Sequence, residues 1–170
     1  MRSAIGCLLL ALSAASVAEA QDDRYLLLAT ERTGTMQKEI DEAAAKGFRV
    51  VTASPGDGSE YIVLLEQTAD KHQYRLLATS RTATLQSELD EAAREGYRIL
   101  PKSIAHKGDE LLVLMEKGPE GSAPADYQVL AAERTGTLQK EISQAAMNGY
   151  TLIALAKRGE HVAILEKETH

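Results

Sequence analysis

The sequence has few aromatic residues, a single cysteine and no run of basic residues, and each shortage excludes a class of protein. Aromatic residues make up 4% of the 170 residues, and the formal net charge is −6. Without a basic patch we expect no nucleic-acid partner, because phosphate binding needs clustered Lys and Arg. After the N-terminus, no apolar run is long enough to cross a bilayer, so we expect no integral membrane segment there. Leu, Ile and Val recur throughout, which indicates a folded globular protein.

The N-terminus has the pattern of an export signal. A positive residue precedes an apolar stretch, and Ala18 and Ala20 are small residues at the positions that signal peptidase reads. We therefore predict a signal peptide over residues 1–20 and a periplasmic or secreted chain that begins at Gln21. Cys7 is interpreted as part of this signal, because the stretch before it is too short for a lipoprotein signal. The exported chain then has no cysteine and no disulfide.

The rest of the chain repeats one unit three times. Each unit has an initial Tyr, an Arg-Thr-Gly-Thr or Arg-Thr-Ala-Thr phrase, then a Gln, an Ala-Ala pair, a Gly-aromatic pair and a closing Glu. The register holds along the whole unit, so the repeat is a structural module. We predict three modules, over residues 21–70, 71–120 and 121–170, with a flexible connection near residues 118–125.

Within a module, the spacing of apolar residues predicts the order β-α-β-β. A strand begins at Tyr25, and helical spacing predicts a helix over residues 36–46 with Thr35 as its N-cap. Gly47 is expected in the left-handed conformation that ends a helix. The spacing leaves two positions for the third strand, residues 61–66: between the other two strands or outside the second. We prefer the middle of the sheet, because its run of aliphatic residues is typical of a central strand.

The strands are apolar on both faces, so a single helix leaves one face of each sheet uncovered. We therefore predict an α+β protein of three tandem β-α-β-β modules packed around a pseudo-threefold axis, with the sheets inward and the helices outward. Val113 would then be buried between modules. The alternative is an open row of modules that leaves a surface for a partner.

The repeated phrase that starts with arginine is the candidate ligand-binding site. It precedes a helix N-terminus, where backbone N–H groups attract anions and the arginine adds positive charge. A structural role, in which each arginine pairs with a glutamate of its helix, such as Arg32 with Glu39, is nevertheless favoured, because the same polar set is present in all three modules. The candidate residues are Arg32, Thr33, Thr35, Arg81, Thr82, Thr84, Arg134, Thr135 and Thr137.

No motif indicates catalytic residues, a metal or a cofactor. The four histidines lack the spacing of a metal site, and there is no nucleophile elbow, P-loop or dinucleotide fingerprint. Six of the seven aromatic residues recur at two module positions, so we interpret them as core residues. The closing glutamates are expected to form exposed cross-strand pairs with the arginines that begin the second strand, such as Glu66 with Arg49.

Each module combines Tyr25-Leu26-Leu27-Leu28, Gly47-Phe48-Arg49-Val50 and Leu64-Leu65-Glu66, or their counterparts. In this pattern it resembles a small bacterial family of domains of unknown function. That family has a Trp where this chain has Phe48, Tyr97 and Tyr150. The resemblance implies the β-α-β-β fold and no activity.

These patterns predict function in outline. We expect an exported, non-catalytic repeat protein that serves as a binding or structural module of the cell envelope. Its partner would be another envelope protein or a small anionic ligand. The alternative is an envelope enzyme or anion-binding protein with a cleft at the Arg-Thr-Gly-Thr helix N-termini. The three modules keep the same polar residues, whereas a triplicated enzyme usually keeps one site, so the non-catalytic function is favoured. The oligomeric state is left open.

Overall fold

The computed structural model describes residues 24–169, apart from the side chain of Arg158. The predicted signal peptide lies outside these residues. Within them, three helices and ten strands form three antiparallel sheets, which confirms the α+β class. The elements are β1 (Tyr25–Thr30), α1 (Thr33–Ala45), β2 (Phe48–Pro55), β3 (Tyr61–Gln67), β4 (Gln73–Thr79), α2 (Thr82–Arg94), β5 (Arg98–Ile99), β6 (Ala105–Lys107), β7 (Glu110–Lys117), β8 (Ala125–Ala132), α3 (Thr135–Met147), β9 (Thr151–Arg158) and β10 (Glu160–Glu168).

Each sheet has its last strand in the middle, as predicted. The first sheet has the order β1-β3-β2, and the third has the order β8-β10-β9. In the first sheet Tyr25 lies opposite Glu66 on β3, and the same register places Tyr74 opposite Glu116 and Tyr127 opposite Glu166. Each module therefore presents its initial tyrosine beside its closing glutamate.

A glycine ends each helix, in the left-handed conformation predicted for Gly47. Its φ is +86°, and the equivalent Gly96 and Gly149 both have φ of +88°. A Cβ at Gly47 would also lie 3.2 Å from the backbone oxygen of Thr68. Because both the conformation and the close approach favour glycine, this position fixes where the chain leaves the helix.

The second module departs from the others at one strand. Its second strand is split into the short β5 and β6, with a 3₁₀ turn at Pro101–Ser103 between them. Pro101 has no backbone N–H and cannot donate to the sheet, so the strand is interrupted at this residue. The hydroxyl of Ser103 donates to the carbonyl oxygens of Leu100 and Leu114, which holds the turn against β7.

The helices join successive modules. Helix α1 packs on β1 and β2 of its own sheet and on β4 of the next sheet, and α2 packs on β4 and β8. Met36 and Ile40 of α1 lie in one core with Leu112 and Leu114 of the second sheet. These two helices therefore lie between sheets, because each covers two apolar faces, whereas the sequence had predicted an outward position. The arrangement around a pseudo-threefold axis stays a prediction.

The last helix covers a single sheet. Helix α3 packs on β8, β9 and β10 of its own module, where Leu138 and Ala145 are buried. The described helices contain no stretch that is both long and apolar enough to span a membrane. Along the chain, packing contacts therefore link the first sheet to α1 and the second sheet, and the second sheet to α2 and the third sheet with α3; we call this series of contacts the row.

Candidate functional site

The predicted anion site lies at the start of each helix, but its local geometry differs from the prediction. Helix α1 begins at Thr33, and the backbone N–H of Met36 donates to the carbonyl oxygen of Arg32 at 2.9 Å. Arg32 is therefore the N-cap residue, and Thr35 lies inside the first turn. The prediction of Thr35 as the N-cap is wrong, because the first helical hydrogen bond closes on Arg32. The other two helices begin in the same way, at Thr82 and Thr135.

The arginines of this phrase are exposed and do not pair with the helix glutamates. Within residues 24–169, no ion pair connects Arg32, Arg81 or Arg134 to a carboxylate. The expected pair of Arg32 with Glu39 is therefore wrong. The backbone N–H of Arg32 donates instead to the hydroxyl of Thr30 at 3.2 Å, and Arg81 makes the same contact with Thr79. Anion binding by the nine candidate residues stays a prediction.

A cleft of about 650 Å³ lies beside the second of these helix N-termini. It is lined by Ser80 and by the acidic residues Asp109, Glu133 and Glu160. The hydroxyl of Thr82, one of the candidate ligand-binding residues, donates to Glu160 Oε1 at 3.1 Å. Because like charges repel, a cleft with this lining does not favour an anionic ligand.

The exposed position of Arg32 leads to a prediction. We expect Arg32→Met to change the free energy of unfolding by less than about 0.5 kcal/mol, as is usual for an exposed side chain that forms no ion pair. Urea denaturation of the wild type and the variant, with phosphate and with a matched ionic strength of chloride, measures this. A phosphate-dependent rise in melting temperature that Arg32→Met abolishes would instead support the anion site.

The residues that the fold does bring together lie at the junctions between modules. The side-chain amide of Gln37 on α1 donates to the carbonyl oxygen of Tyr74 and accepts from the backbone N–H of Leu76. Gln86 on α2 makes both bonds to Tyr127 and Val129 of the third module. The glutamine side chain thus forms the hydrogen bonds to the backbone N–H and carbonyl groups of the edge strand that a neighbouring strand would otherwise form. The repeated glutamine was visible in the sequence, but the identity of its partner was not.

A second set of polar contacts, between an arginine, a tyrosine and a glutamate, holds the two modules together at each junction. Arg49 donates to both carboxylate oxygens of Glu116, at 3.2 and 3.0 Å, and the hydroxyl of Tyr74 donates to Glu116 Oε2 at 2.8 Å. The same hydroxyl accepts from the backbone N–H of Val50 at 2.9 Å. The expected pair of Arg49 with Glu66 in its own module is wrong, because the buried glutamate of the next module offers a bidentate partner.

The junction between the second and third modules has the same chemistry. Arg98 donates to both carboxylate oxygens of Glu166, and the hydroxyl of Tyr127 donates to Glu166 Oε1 at 2.9 Å. Tyr127 also accepts from the backbone N–H of Ile99 at 3.0 Å. The fold therefore uses one set of Gln, Arg, Tyr and Glu contacts twice, each time between consecutive modules.

Burial of these tyrosines predicts a loss of stability in alkali. Desolvation raises the pKa of Tyr74 and of Tyr127 above the ordinary value. The unfolded chain loses these protons from about pH 10, while the folded chain keeps them, so the free energy of unfolding falls as the pH rises above about 10. Urea denaturation at a series of alkaline pH values measures the slope. Tyr74→Phe should make the slope shallower, and a slope unchanged by this variant would contradict the prediction.

The first end of the row is an apolar face without a helix on it. This head face consists of Tyr25, Leu27, Val51, Ile62 and Leu64. Tyr25 and Leu27 are 53% and 63% exposed, whereas the equivalent Tyr74 and Tyr127 are 5% and 4% exposed. The interpretation of Tyr25 as a core residue is therefore wrong, because no preceding helix covers the first sheet among the described residues.

The other end is formed by α3 and the neighbouring strand β9. This tail face consists of Gln139, Ile142, Met147, Leu152 and Leu155. Leu152 and Leu155 are 43% and 64% exposed, although the equivalent residues of the first module, Val50 and Ala53, are 3% and 8% exposed. The tail face is thus the surface that a following module would cover.

Two further polar side chains contain buried atoms, and one of them lies against the first junction. His72 lies with its Nδ1 3.4 Å from Glu116 Oε2, and its ring stacks on Tyr74. Glu88 has a buried Oε2 without a hydrogen-bond partner, and desolvation raises the pKa of this carboxyl. These two residues lie in different parts of the row. Over residues 24–169 no cluster of His, Cys, Asp and Glu could hold a metal ion.

Comparison of the chain with family models, with curated proteins and with solved structures found no match. The resemblance to a bacterial family of β-α-β-β domains stays a prediction. The geometry of the junctions and of the two ends is therefore the basis for the functional conclusion.

Proposed function

We propose that the protein is an exported, non-catalytic repeat protein that acts in the cell envelope as a binding or structural module. The observation that carries this proposal is the head face, an uncovered apolar surface on the first sheet. Its residues Tyr25 and Leu27 are 53% and 63% exposed. Exposed apolar patches of this kind are typical of surfaces that bind another protein.

The polar chemistry of the chain supports the same conclusion. The arginines of β2 and β5, with the tyrosines and glutamates that they contact, hold one module against the next. The side chains of these residues are engaged in contacts between modules. The cleft beside Thr82 is acidic and open to solvent. Repeat proteins built in this way commonly present an extended surface to a partner.

Export is tested by the mass of the exported chain. We expect the full-length chain, expressed in a Gram-negative host, to appear in the periplasmic fraction with Gln21 as its first residue, because Ala18 and Ala20 fit the peptidase. Intact-mass spectrometry of that fraction measures the cleavage site. A lipid-modified species that begins at Cys7, or retention of the whole chain in the cytoplasm, would contradict the proposal.

Binding is tested by a cross-linker placed on the head face. The predicted exported chain has no cysteine, so Leu27→Cys carries one reactive thiol at an exposed site. Ser87→Cys, on the exposed side of α2, is the matched control. We expect photo-cross-linking in the envelope fraction to join Leu27→Cys to a protein, identified by mass, and Ser87→Cys to nothing comparable. Equal labelling from the two sites would count against a binding surface at Leu27.

A further inference from the structure

The two ends of the row carry the two halves of a contact that the chain already makes twice. Inside the chain, a helix with a glutamine and an apolar stripe covers a sheet face that starts with a tyrosine. The tail face has the helix half of this contact, and the head face has the sheet half. Neither half is covered among the described residues. Both ends therefore match an interface whose geometry the molecule itself defines.

The apolar residues of the head face correspond one by one to residues that are covered in the next module. Leu27 and Leu64 lie opposite each other on β1 and β3, as Leu76 and Leu114 do on β4 and β7. In the second module this pair lies in the core under α1. The first sheet therefore offers the same surface to a helix that the second sheet offers to α1.

The tail face has the same kinds of residue with which α1 and α2 contact the sheet of the next module. Gln139 is equivalent to Gln37 and Gln86, and in this chain its amide donates to the hydroxyl of Ser143 at 3.2 Å. Ile142 is equivalent to Ile40, which is fully buried under the second sheet. On the opposite end, the carbonyl oxygen of Tyr25 and the N–H of Leu27 have the positions that such a glutamine contacts in the second module.

We propose that the tail face of one copy binds the head face of a second copy, so that the protein associates head to tail. This inference rests on the proposed function and names the partner as another molecule of the same chain. Because the two faces differ, the contact is heterologous: each copy keeps one free face after the first contact, and the assembly grows into a ring or a filament. The row of modules then continues from one chain into the next.

One difference makes the contact between copies weaker than the junctions inside the chain. The tail has Thr151 where the first two modules have Arg49 and Arg98. Glu66, the glutamate that such an arginine would reach, forms no ion pair within the described residues. Without the bidentate bond we expect a weak contact, so that the copies separate at low protein concentration.

The test compares variants that block one face each. Leu27→Glu blocks the head face and Leu155→Glu blocks the tail face, and both positions are more than half exposed, so the fold should persist. Sedimentation velocity over a range of concentrations should show wild-type mass rising with concentration and each single variant as a monomer. An equimolar mixture of the two variants should form a dimer and nothing larger, because only one productive pair of faces remains. Ser87→Glu, the control on α2, should associate as the wild type does.

Further variants test which residues face each other across the contact between copies. We expect Thr151→Arg to tighten self-association about tenfold, as a charge-assisted bond to Glu66 of the next copy would. The same change in a Glu66→Gln background should lose most of that gain. Gln139→Ala should weaken self-association without changing the melting temperature, and it replaces the face-blocking variants if either of them unfolds.

Several results would overturn the proposal. A wild-type chain that stays monomeric at every concentration, or a dimer that persists in both Leu27→Glu and Leu155→Glu, would exclude the head-to-tail contact. If such a monomeric chain still cross-links through Leu27→Cys to a different envelope protein, the proposed function stands and only the identity of the partner is wrong. If no cross-link forms and no self-association occurs, both proposals fail.

Discussion

Val113→Asp should lower the free energy of unfolding by about 4 kcal/mol or more, the range of an unpaired charge in a core. Val113 is fully buried on the central strand β7, in the core that α2 shares with the second and third sheets. The predicted burial of this residue between modules is confirmed. Urea denaturation followed by circular dichroism measures the loss.

The control for this prediction is Leu27→Asp, which introduces the same charge on a strand at a position that is 63% exposed. Measured at low protein concentration, it should cost less than about 0.5 kcal/mol. Because the cores are shared between modules, we also expect one cooperative transition for the wild type. A Val113→Asp variant in which the first module still unfolds at the wild-type midpoint would contradict the shared core.

Glu116→Ala should cost about 2–3 kcal/mol, because its carboxylate accepts charge-assisted hydrogen bonds at a buried site. The substitution removes the bidentate contact with Arg49 and leaves the buried hydroxyl of Tyr74 without its acceptor. The matched control is Glu66→Ala, since Glu66 is the equivalent residue of the first module and has no arginine from a preceding module. We expect that control to cost less than about 0.5 kcal/mol in the monomer.

A double-mutant cycle separates the pair from its surroundings. Arg49→Met and Glu116→Ala, alone and combined, should show a coupling energy of about 1–2 kcal/mol in urea denaturation. Arg49 is partly exposed, so its contribution is reduced by solvent, and the larger loss should come from Glu116. Additive effects of the two changes would show that the pair of Arg49 and Glu116 contributes nothing to stability.

Much of a single module could be predicted from sequence. The order of helix and strands and the glycine that ends each helix follow from apolar spacing and from the conformational preference of Gly47. The spacing left two positions for the third strand, and the preference for the middle, based on its aliphatic run, is confirmed. The start of the helix was misplaced by three residues, since Thr35 fits an N-cap by composition while the first hydrogen bond closes on Arg32. A side chain that suits a cap does not decide where the backbone begins to turn.

The candidate site was harder to predict. Arg32 and Glu39 have a spacing that allows a contact over the helix start, yet Arg32 remains exposed in the structure. Arg49 and Glu66 are neighbours across two strands, yet Arg49 pairs with Glu116 of the next module. Local spacing shows which groups of one module are near one another. It does not show that a buried carboxylate of another module offers the arginine two hydrogen bonds and therefore binds it.

The sequence by itself determined the repeat, the order of elements in each module and the apolar character of both sheet faces. Only the tertiary structure decided which faces are covered. Tyr25 and Tyr74 occupy the same position in their modules, but one is 53% exposed and the other 5%. The physical reason is that burial depends on the neighbour in space: α1 covers the second sheet, while no helix precedes the first sheet among the described residues.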